Sequence, residues 1–258
     1  MANVVSEIAH ARRLAGDHRS FMRWSTDILT YRMLRVWRPP GRGRMRTITL
    51  AGDTKLTYRC NRGDLLTLRE VWVDEVYRLP GSGHPRSLVD LGANIGLASV
   101  WFARTYGCTF IVAVEPLAEN ARLLRHNLRQ NDIAATVLEC AVGAAAGEGR
   151  FARSEEPNSG RLVPDGELAV DVCSMATVLA ALGELGGCVD IVKIDIEGGE
   201  EALLGGRPDW LANVDTVVVE LHPDLADIDG VVRGIERAGL RAPAGRAGDT
   251  AVTVFVRT

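Results

Sequence analysis

Residues Ser87 to Pro116, SLVDLGANIGLASVWFARTYGCTFIVAVEP, constrain the fold of this 258-residue chain more than any other stretch. Ser87–Val89 is short, apolar and β-tolerant and closes on Asp90. Gly92 and Gly96 open a turn into a helix expected to begin near Ile95, and the next apolar run, FIVAVE, closes on Glu115. Strand, Gly-rich turn, helix, strand is one βαβ unit, which places the chain among α/β folds with a parallel sheet. Glycine lacks a Cβ, so at such a turn backbone N–H groups can approach a ligand closely.

The spacing selects the ligand. A dinucleotide fingerprint requires G-x-G-x-x-G, but Asn94 stands at the middle position and the last glycine is also missing, which disfavours a nucleotide-dependent oxidoreductase. The remaining pattern, D-x-G-x-x-x-G, suits S-adenosylmethionine (SAM). That ligand has no pyrophosphate; turn amides around Gly92, Asn94 and Gly96 and the carboxylate of Asp90 are the expected contacts for its amino-acid end. Glu115, closing the second strand, is placed to accept from both ribose hydroxyls. A plain tight strand-to-helix connection is the competing reading of the glycines alone.

The segment before this unit is charge-segregated. Residues 1–46 carry ten Arg against Glu7, Asp17 and Asp27, a net charge of +7 in a chain whose total is −3. Val4, Val5, Ile8, Leu14, Phe21, Trp24, Ile28, Tyr31, Leu34 and Trp37 recur at helical spacing. Two amphipathic helices follow, broken near Gly16 and stopped by Pro39-Pro40. They read as a lid packed on the main domain, with a homodimer contact as the alternative; the net acidity of the whole chain argues against a nucleic-acid arm. Residues 47–80 read as a hairpin, Thr47–Leu50 and Lys55–Cys60, followed by a helix over Asp64–Leu79. That helix can lie across the ligand end of the sheet, so Arg62 and Asp64 are candidate contacts, although Asp64 is also a good N-cap. Residues 81–258 are the expected ligand-binding domain.

After Glu115 a helix is expected from Pro116 to about Asn131, then a strand over Thr136–Cys140. Ala141 and Val142 fall at its carboxyl end, where an adenine would sit. A strand at Phe151–Arg153, a loop carrying Asn158 and a strand at Ala169–Cys173 complete this region. Asp190–Asp195 is the fourth core strand. Asp195 and Glu197 alternate, so both carboxylates point one way if the strand persists. Thr216–Leu221 is the fifth, followed by His222 and a helix from Asp224 to Ala238, with a final antiparallel strand over Ala251–Arg257.

Four motifs in order, DLGANIG, VAVEP with a downstream HNLRQN, VDIVKIDIEGGE and VVVELH, resemble the FkbM-type family of class I SAM-dependent methyltransferases over roughly Arg46 to Leu221. The family usually has a Leu-Asp pair just after the strand at Ala169–Cys173, where this chain has Ser174-Met175-Ala176. The resemblance implies a Rossmann-like, seven-stranded, mostly parallel sheet with helices on both faces, SAM as methyl donor with S-adenosylhomocysteine as product, and O-methylation of a small natural product of sugar or polyketide type, as in antibiotic biosynthesis. N-methylation of a small molecule and non-catalytic SAM or nucleotide binding are the alternatives; strand-end acids favour an enzyme.

The acceptor proton is expected to go to Asp195 or His222, with Glu197 orienting the base or the acceptor; His has the pKa best suited to neutral pH. A divalent metal bridging Asp195 and Glu197 is the rival device, not expected here because spacing reveals no third ligand. The five cysteines are scattered, show no C-x-x-C and are expected to be core thiols, neither zinc ligands nor disulfides. No apolar run reaches membrane-spanning length and the N-terminus has no apolar leader, so a cytoplasmic protein is expected.

Overall fold

The computed structural model describes residues 4–34, 43–81, 83–153, 160–183, 188–206, 208–243 and 252–258. Trp37, Pro39, Pro40 and Asn158 lie outside the described residues. In chain order the elements begin with α1 (Val4–Leu14), α2 (His18–Leu34), β1 (Met45–Thr49), β2 (Lys55–Arg59) and α3 (Arg62–Trp72). The expected βαβ unit follows as β3 (Ser87–Leu91), α4 (Leu97–Tyr106) and β4 (Phe110–Val114), then α5 (Ala118–Arg129) and β5 (Thr136–Leu138). A run of short strands comes next: β6 (Ala141–Gly143), β7 (Gly147–Ala152), β8 (Arg161–Leu162) and β9 (Leu168–Ser174), with α6 (Met175–Ala180) after them. The chain closes with β10 (Val189–Ile194), α7 (Glu200–Leu204), β11 (Val214–Glu220), α8 (Ile228–Arg237), β12 (Leu240–Arg241) and β13 (Val252–Arg257).

The main sheet has seven strands in the order β12-β13-β11-β10-β3-β4-β5. β3, β4, β5, β10 and β11 run parallel, and β13 is antiparallel to β11. Both faces are covered, so the central strands read as continuous apolar runs with no polar alternation; every residue of β3 is buried. One apolar cluster gathers Val89, Val114, Ile194, Val217 and Ile235, and another gathers Leu88, Trp101, Phe102, Ile191 and Val218. The sheet order places β3 between β10 and β4, so the carboxyl ends of these strands open at a switch point, where α/β sheets bind ligands.

The strands expected at Phe151–Arg153 and Ala169–Cys173 belong to a separate four-stranded sheet, order β6-β9-β7-β8. Two departures from the sequence reading have local causes. The helix expected over Asp64–Leu79 stops at Trp72, and the chain then turns through a left-handed Glu75 (φ 49°). Its N-cap is Asn61, whose side chain accepts from the Asp64 amide at 2.8 Å. The last helix begins at Ile228 instead of Asp224, because Asp227 supplies the cap by accepting from the Gly230 amide.

The N-terminal helices pack on their own chain. Trp24 and Ile28 are buried with Ile48, Leu56 and Leu65. Ser20 Oγ accepts from the Thr49 amide at 2.8 Å, Arg23 donates to the Thr47 carbonyl, and the buried Tyr58 hydroxyl donates to Asp27 at 2.6 Å. The outer edge of the hairpin is covered by α5. Asn127, fully buried, accepts from the Thr57 amide and donates to the carbonyls of Thr57 and Ile95, each at 2.8 Å; Asn131 accepts from the Lys55 amide and donates to the Lys55 carbonyl. Side-chain carboxamides thus replace a third strand, satisfying backbone groups that an uncovered edge would leave to water. Asn127→Ala strands three buried backbone groups. At ~1–3 kcal/mol for each group left unsatisfied, partly relieved by water, the expected loss is about 2–4 kcal/mol, read as a lowered denaturant midpoint at unchanged slope.

Candidate active site

At the carboxyl ends of β3, β4, β10 and β11 lies a cavity lined among others by Gly92, Asn94, Glu115, Val142, Asp195 and Glu197. α3 closes one side through Thr67 and Glu70, and the small sheet closes another through Phe151 and Leu162. The sequence reading did not single out these four residues, nor Tyr77, Leu117 or Asn120, which also line it. Glu70 had no distinct signal, because α3 also carries Arg62, Asp64 and Arg69, and an acid beside its apolar face reads as solvated. Nothing in the sequence marks the small sheet as a wall, because its strands alternate as ordinary edge strands do.

Glu115 is the best-defined acceptor. It is 5% exposed; its Oε1 accepts from the Leu117 amide (3.0 Å) and from Asn120 Nδ2 (3.2 Å), and its Oε2 from the Asn94 amide (2.9 Å). Burial pushes its carboxyl up to about 7, against the pull of those three hydrogen bonds and the Lys193 charge. A carboxylate offers about four lone-pair positions, so three fixed donors leave one position for a ligand hydroxyl. Asn94 holds its amide on Glu115 from a left-handed backbone (φ 48°), and its own buried Oδ1 has no hydrogen-bond partner among the described residues. A cavity-lining acceptor in that state is satisfied by a ligand donor or water.

The other expected contacts divide. Ala141 and Val142 line the cavity. Gly92 lines it too, but its glycine is imposed by the neighbouring chain: φ is 72° and a Cβ would fall 1.8 Å from the Asp195 carbonyl oxygen. Gly96 (φ 83°) does not line the cavity; a Cβ there would meet Leu124 on α5. Asp90 is fully buried behind Lys193, accepting from Ser99 Oγ at 2.6 Å. Asp64 is fully buried with its carboxylate held by the Arg59 backbone amide, Nε and Nη2 (2.8–2.9 Å), away from the cavity lining. Its position is fixed by the Asn61 cap, which turns it inward toward β2.

Lys193 joins the strand ends. Its ammonium, almost wholly buried, lies 3.1 Å from Asp90 Oδ1, 2.8 Å from the Gly92 carbonyl oxygen and 3.6 Å from Asp195 Oδ2. Burial alone would push its pKa down, but the charges of Asp90 and Asp195 more than offset this and the net direction is up. Two further carboxyls border the cavity: burial first, then the Asp195 charge, raise Glu70 to about 7, and burial, Asp195 and Glu70 raise Glu220 to about 8.

Asp195, Glu197 and His222 do come together, though not by strand alternation. β10 ends at Ile194, one residue before Asp195, and the chain turns through left-handed Glu197 (φ 52°) and Gly198 (φ 93°). β10 and β11 pair in parallel, so His222, just past β11, returns beside them. One polar atom from each of the three lies within 4.8 Å of the others. His222 Nε2 is 3.5 Å from Glu197 Oε2 and Nδ1 is 2.8 Å from Glu200 Oε1. The Glu200 hydrogen bond, opposed by partial burial and helped by Glu197, pushes the imidazole up to about 9.

The expectation of free core thiols holds for Cys60 and Cys108, which are buried, but not for Cys140 and Cys173. These two form a disulfide between the start of β6 and β9, strands that lie side by side in the small sheet, so neighbours in space need no sequence spacing motif. Cys188 is free and exposed. Ser174, where the Leu-Asp pair was missed, caps α6 by accepting from the Thr177 amide.

A doubly wound sheet whose strand-end acids and glycine turn converge on one cavity defines a Rossmann-like methyltransferase fold. The sequence profile of the "Methyltransferase FkbM domain" matches residues 90–241, more than half of the chain, and the chain belongs to the FkbM methyltransferase family. Among solved structures, methyltransferase FkbM from Methylobacillus flagellatus superposes with a TM-score of 0.50 at 17% identity, covering 97% of this chain and 58% of that one. Among curated proteins, methyltransferase sdnD of Sordaria araneosa is 28% identical over 187 residues (59% of this chain, 72% of that one). The antimetabolite synthetase AmbE of Pseudomonas aeruginosa is 29% identical over 196 residues, which are 60% of this chain but only 9% of the synthetase. No helix among the described residues is long and apolar enough to cross a membrane.

Removing the Lys193 charge leaves Asp90 buried and uncompensated and deprives the Gly92 carbonyl of its donor. Lys193→Met is expected to lower stability by about 3–5 kcal/mol, as for other broken buried pairs, read from chemical denaturation of the ligand-free protein.

Proposed function

We propose that this chain is a SAM-dependent methyltransferase that transfers the methyl group to a hydroxyl of a small natural product of sugar or polyketide type, releasing S-adenosylhomocysteine. The observation that carries this reading is the pairing, in one cavity, of a buried carboxylate with one unused acceptor position, Glu115, and a strand-end acid cluster, Asp195 with Glu197. In this assignment the ribose lies on Glu115, the adenine lies between Val142, Ala141 and Leu117, and the amino-acid end lies at Gly92 and Asn94. One ribose hydroxyl takes the unused position on Glu115; the second bonds only by displacing Asn120 or an amide. Asp90 acts indirectly by holding Lys193, and Gly96 by letting α4 pack on α5.

The methyl leaves a sulfonium, which already carries the leaving-group activation, so the protein aligns the reactants and removes a proton. Alignment alone can supply up to ~7–11 kcal/mol of the barrier. The acceptor hydroxyl is assigned to the cavity end formed by Asp195, Glu197 and the neighbouring His222, where that proton is lost. The name of the AmbE relative, an antimetabolite synthetase, supports a natural-product acceptor. The net charge of −3 speaks for a small-molecule substrate over nucleic acid. The half-exposed Met22 and Leu29 on α2 offer a face for a second copy of the chain.

Two measurements test the assignment. Glu115 binds its ligand hydroxyl better as a carboxylate, and its pKa is raised to about 7, so SAM affinity measured by calorimetry should increase as pH rises from about 6 to 8. Glu115→Gln should remove that component and weaken SAM binding by about 1.5–3 kcal/mol; wild-type affinity and pH dependence in the variant would refute the ribose assignment. For the acceptor end, Asp195→Asn and His222→Ala should each lower kcat by roughly 10²–10⁴-fold with a far smaller change in SAM affinity. Near-normal turnover in both would place the chemistry elsewhere.

A further inference from the structure

We infer that Asp195, Glu197 and His222 form a binding site for one divalent cation of the Mn²⁺ class, at the mouth of the cavity. Two carboxylates and an imidazole converge from the turn after β10 and the end of β11, with one atom of each within 4.8 Å of the others. Glu200 sits beneath them, fully buried, with Oε1 2.8 Å from His222 Nδ1. A carboxylate oxygen at that distance takes the Nδ1 proton, which leaves Nε2, 3.5 Å from Glu197 Oε2, as the ring nitrogen that can exchange its proton for a cation. One polar atom of each residue thus faces the other two. A proton on Nε2 serves only the Glu197 contact, whereas a divalent ion replacing that proton can be held by all three residues at once.

The support behind the ring is what distinguishes this cluster from a chance meeting of acids. A metal-ligating imidazole almost always gives its second N–H to a carboxylate or carbonyl that sets its tautomer and orientation. Glu200 has that place, and its other oxygen, Oε2, is buried with no hydrogen-bond partner among the described residues. All three ligand side chains keep some exposure, 24% for Asp195, 21% for Glu197 and 18% for His222, so an ion and its waters have access. Two hard oxygens with one imidazole nitrogen fit Mn²⁺ better than Ca²⁺ or an all-oxygen Mg²⁺ site. Three protein ligands leave positions open on the cavity side. The third ligand, which spacing along the chain does not reveal, is brought in by strand pairing.

The presence of the ion does not depend on the proposed methyl transfer; only its use does, as a Lewis acid for the acceptor oxygen. The test is Mn²⁺ titration of the full chain, following free Mn²⁺ by electron paramagnetic resonance, with SAM calorimetry run in parallel on every variant as the check of folding. One Mn²⁺ per chain is expected. Asp195→Asn and His222→Ala should each weaken it at least about tenfold, and Glu200→Gln, acting through His222, by roughly 10–100-fold. Asp195→Asn is isosteric and keeps the test valid if His222→Ala fails to fold. Absence of Mn²⁺ binding to the wild-type chain at millimolar concentration, or equal binding by the folded variants, would overturn the inference even if SAM binds. Mn²⁺ binding with no SAM binding would sustain it and instead sink the proposed function.

Discussion

The structure depends on one buried cation. Lys193, on the central strand β10, places its ammonium between Asp90 on β3 and Asp195 at its own strand's end, and donates to the carbonyl of the Gly92 turn. A charged group in the interior is tolerated only when it is paired and hydrogen-bonded, so the position of the lysine fixes the exits of both strands together. Those exits are also in van der Waals competition, since the Asp195 carbonyl occupies the space a Cβ at residue 92 would need. The ligand turn and the acid turn are therefore two halves of one device, and Glu115 and Asn94 inherit their geometry from it.

Much of this was legible in the sequence for a specific reason. Parallel strands buried on both faces must be apolar throughout, so a lysine or aspartate inside such a run has no solvent to face and must be paired or functional. That logic isolates Asp90 and Asp195 without coordinates, and it locates β3, β4, β10 and β11 to within a few residues; it also covers Lys193, to which the sequence reading gives no role. The features that escaped are those set by tertiary contact. Asp64 has the composition of a ligand contact, but the Asn61 cap turns it toward Arg59. The alternation that seemed to align Asp195 with Glu197 fails because the strand stops at Ile194, yet the two acids meet anyway through a left-handed turn that only Gly198 hints at. Cys140 and Cys173 are thirty-three residues apart, and nothing short of the pairing of β6 with β9 joins them.

The helix α5 connects parts of the molecule that the chain order keeps distant. Its first turn offers Asn120 to Glu115 and to the Arg59 guanidinium, its last turn offers Asn127 to the backbone of β2, and Asn131, two residues past its end, does the same. The hairpin and the cavity are thus read by one face of one helix. α1 and α2 pack in turn on that hairpin, so the basic N-terminal segment is joined to the cavity through a short series of buried contacts.

This arrangement bears on where the folding unit begins and ends. The residues shared with the family profile, 90–241, start inside β3 and stop before β13. A polypeptide cut to those limits would expose the edge of β11 that β13 now pairs, and would leave the carboxamides of α5 facing water where β2 had been. Homology thus marks out the chemical centre of the molecule, while the contacts that seal its outer strand and cover its fifth helix come from segments beyond both ends of the part inherited in common.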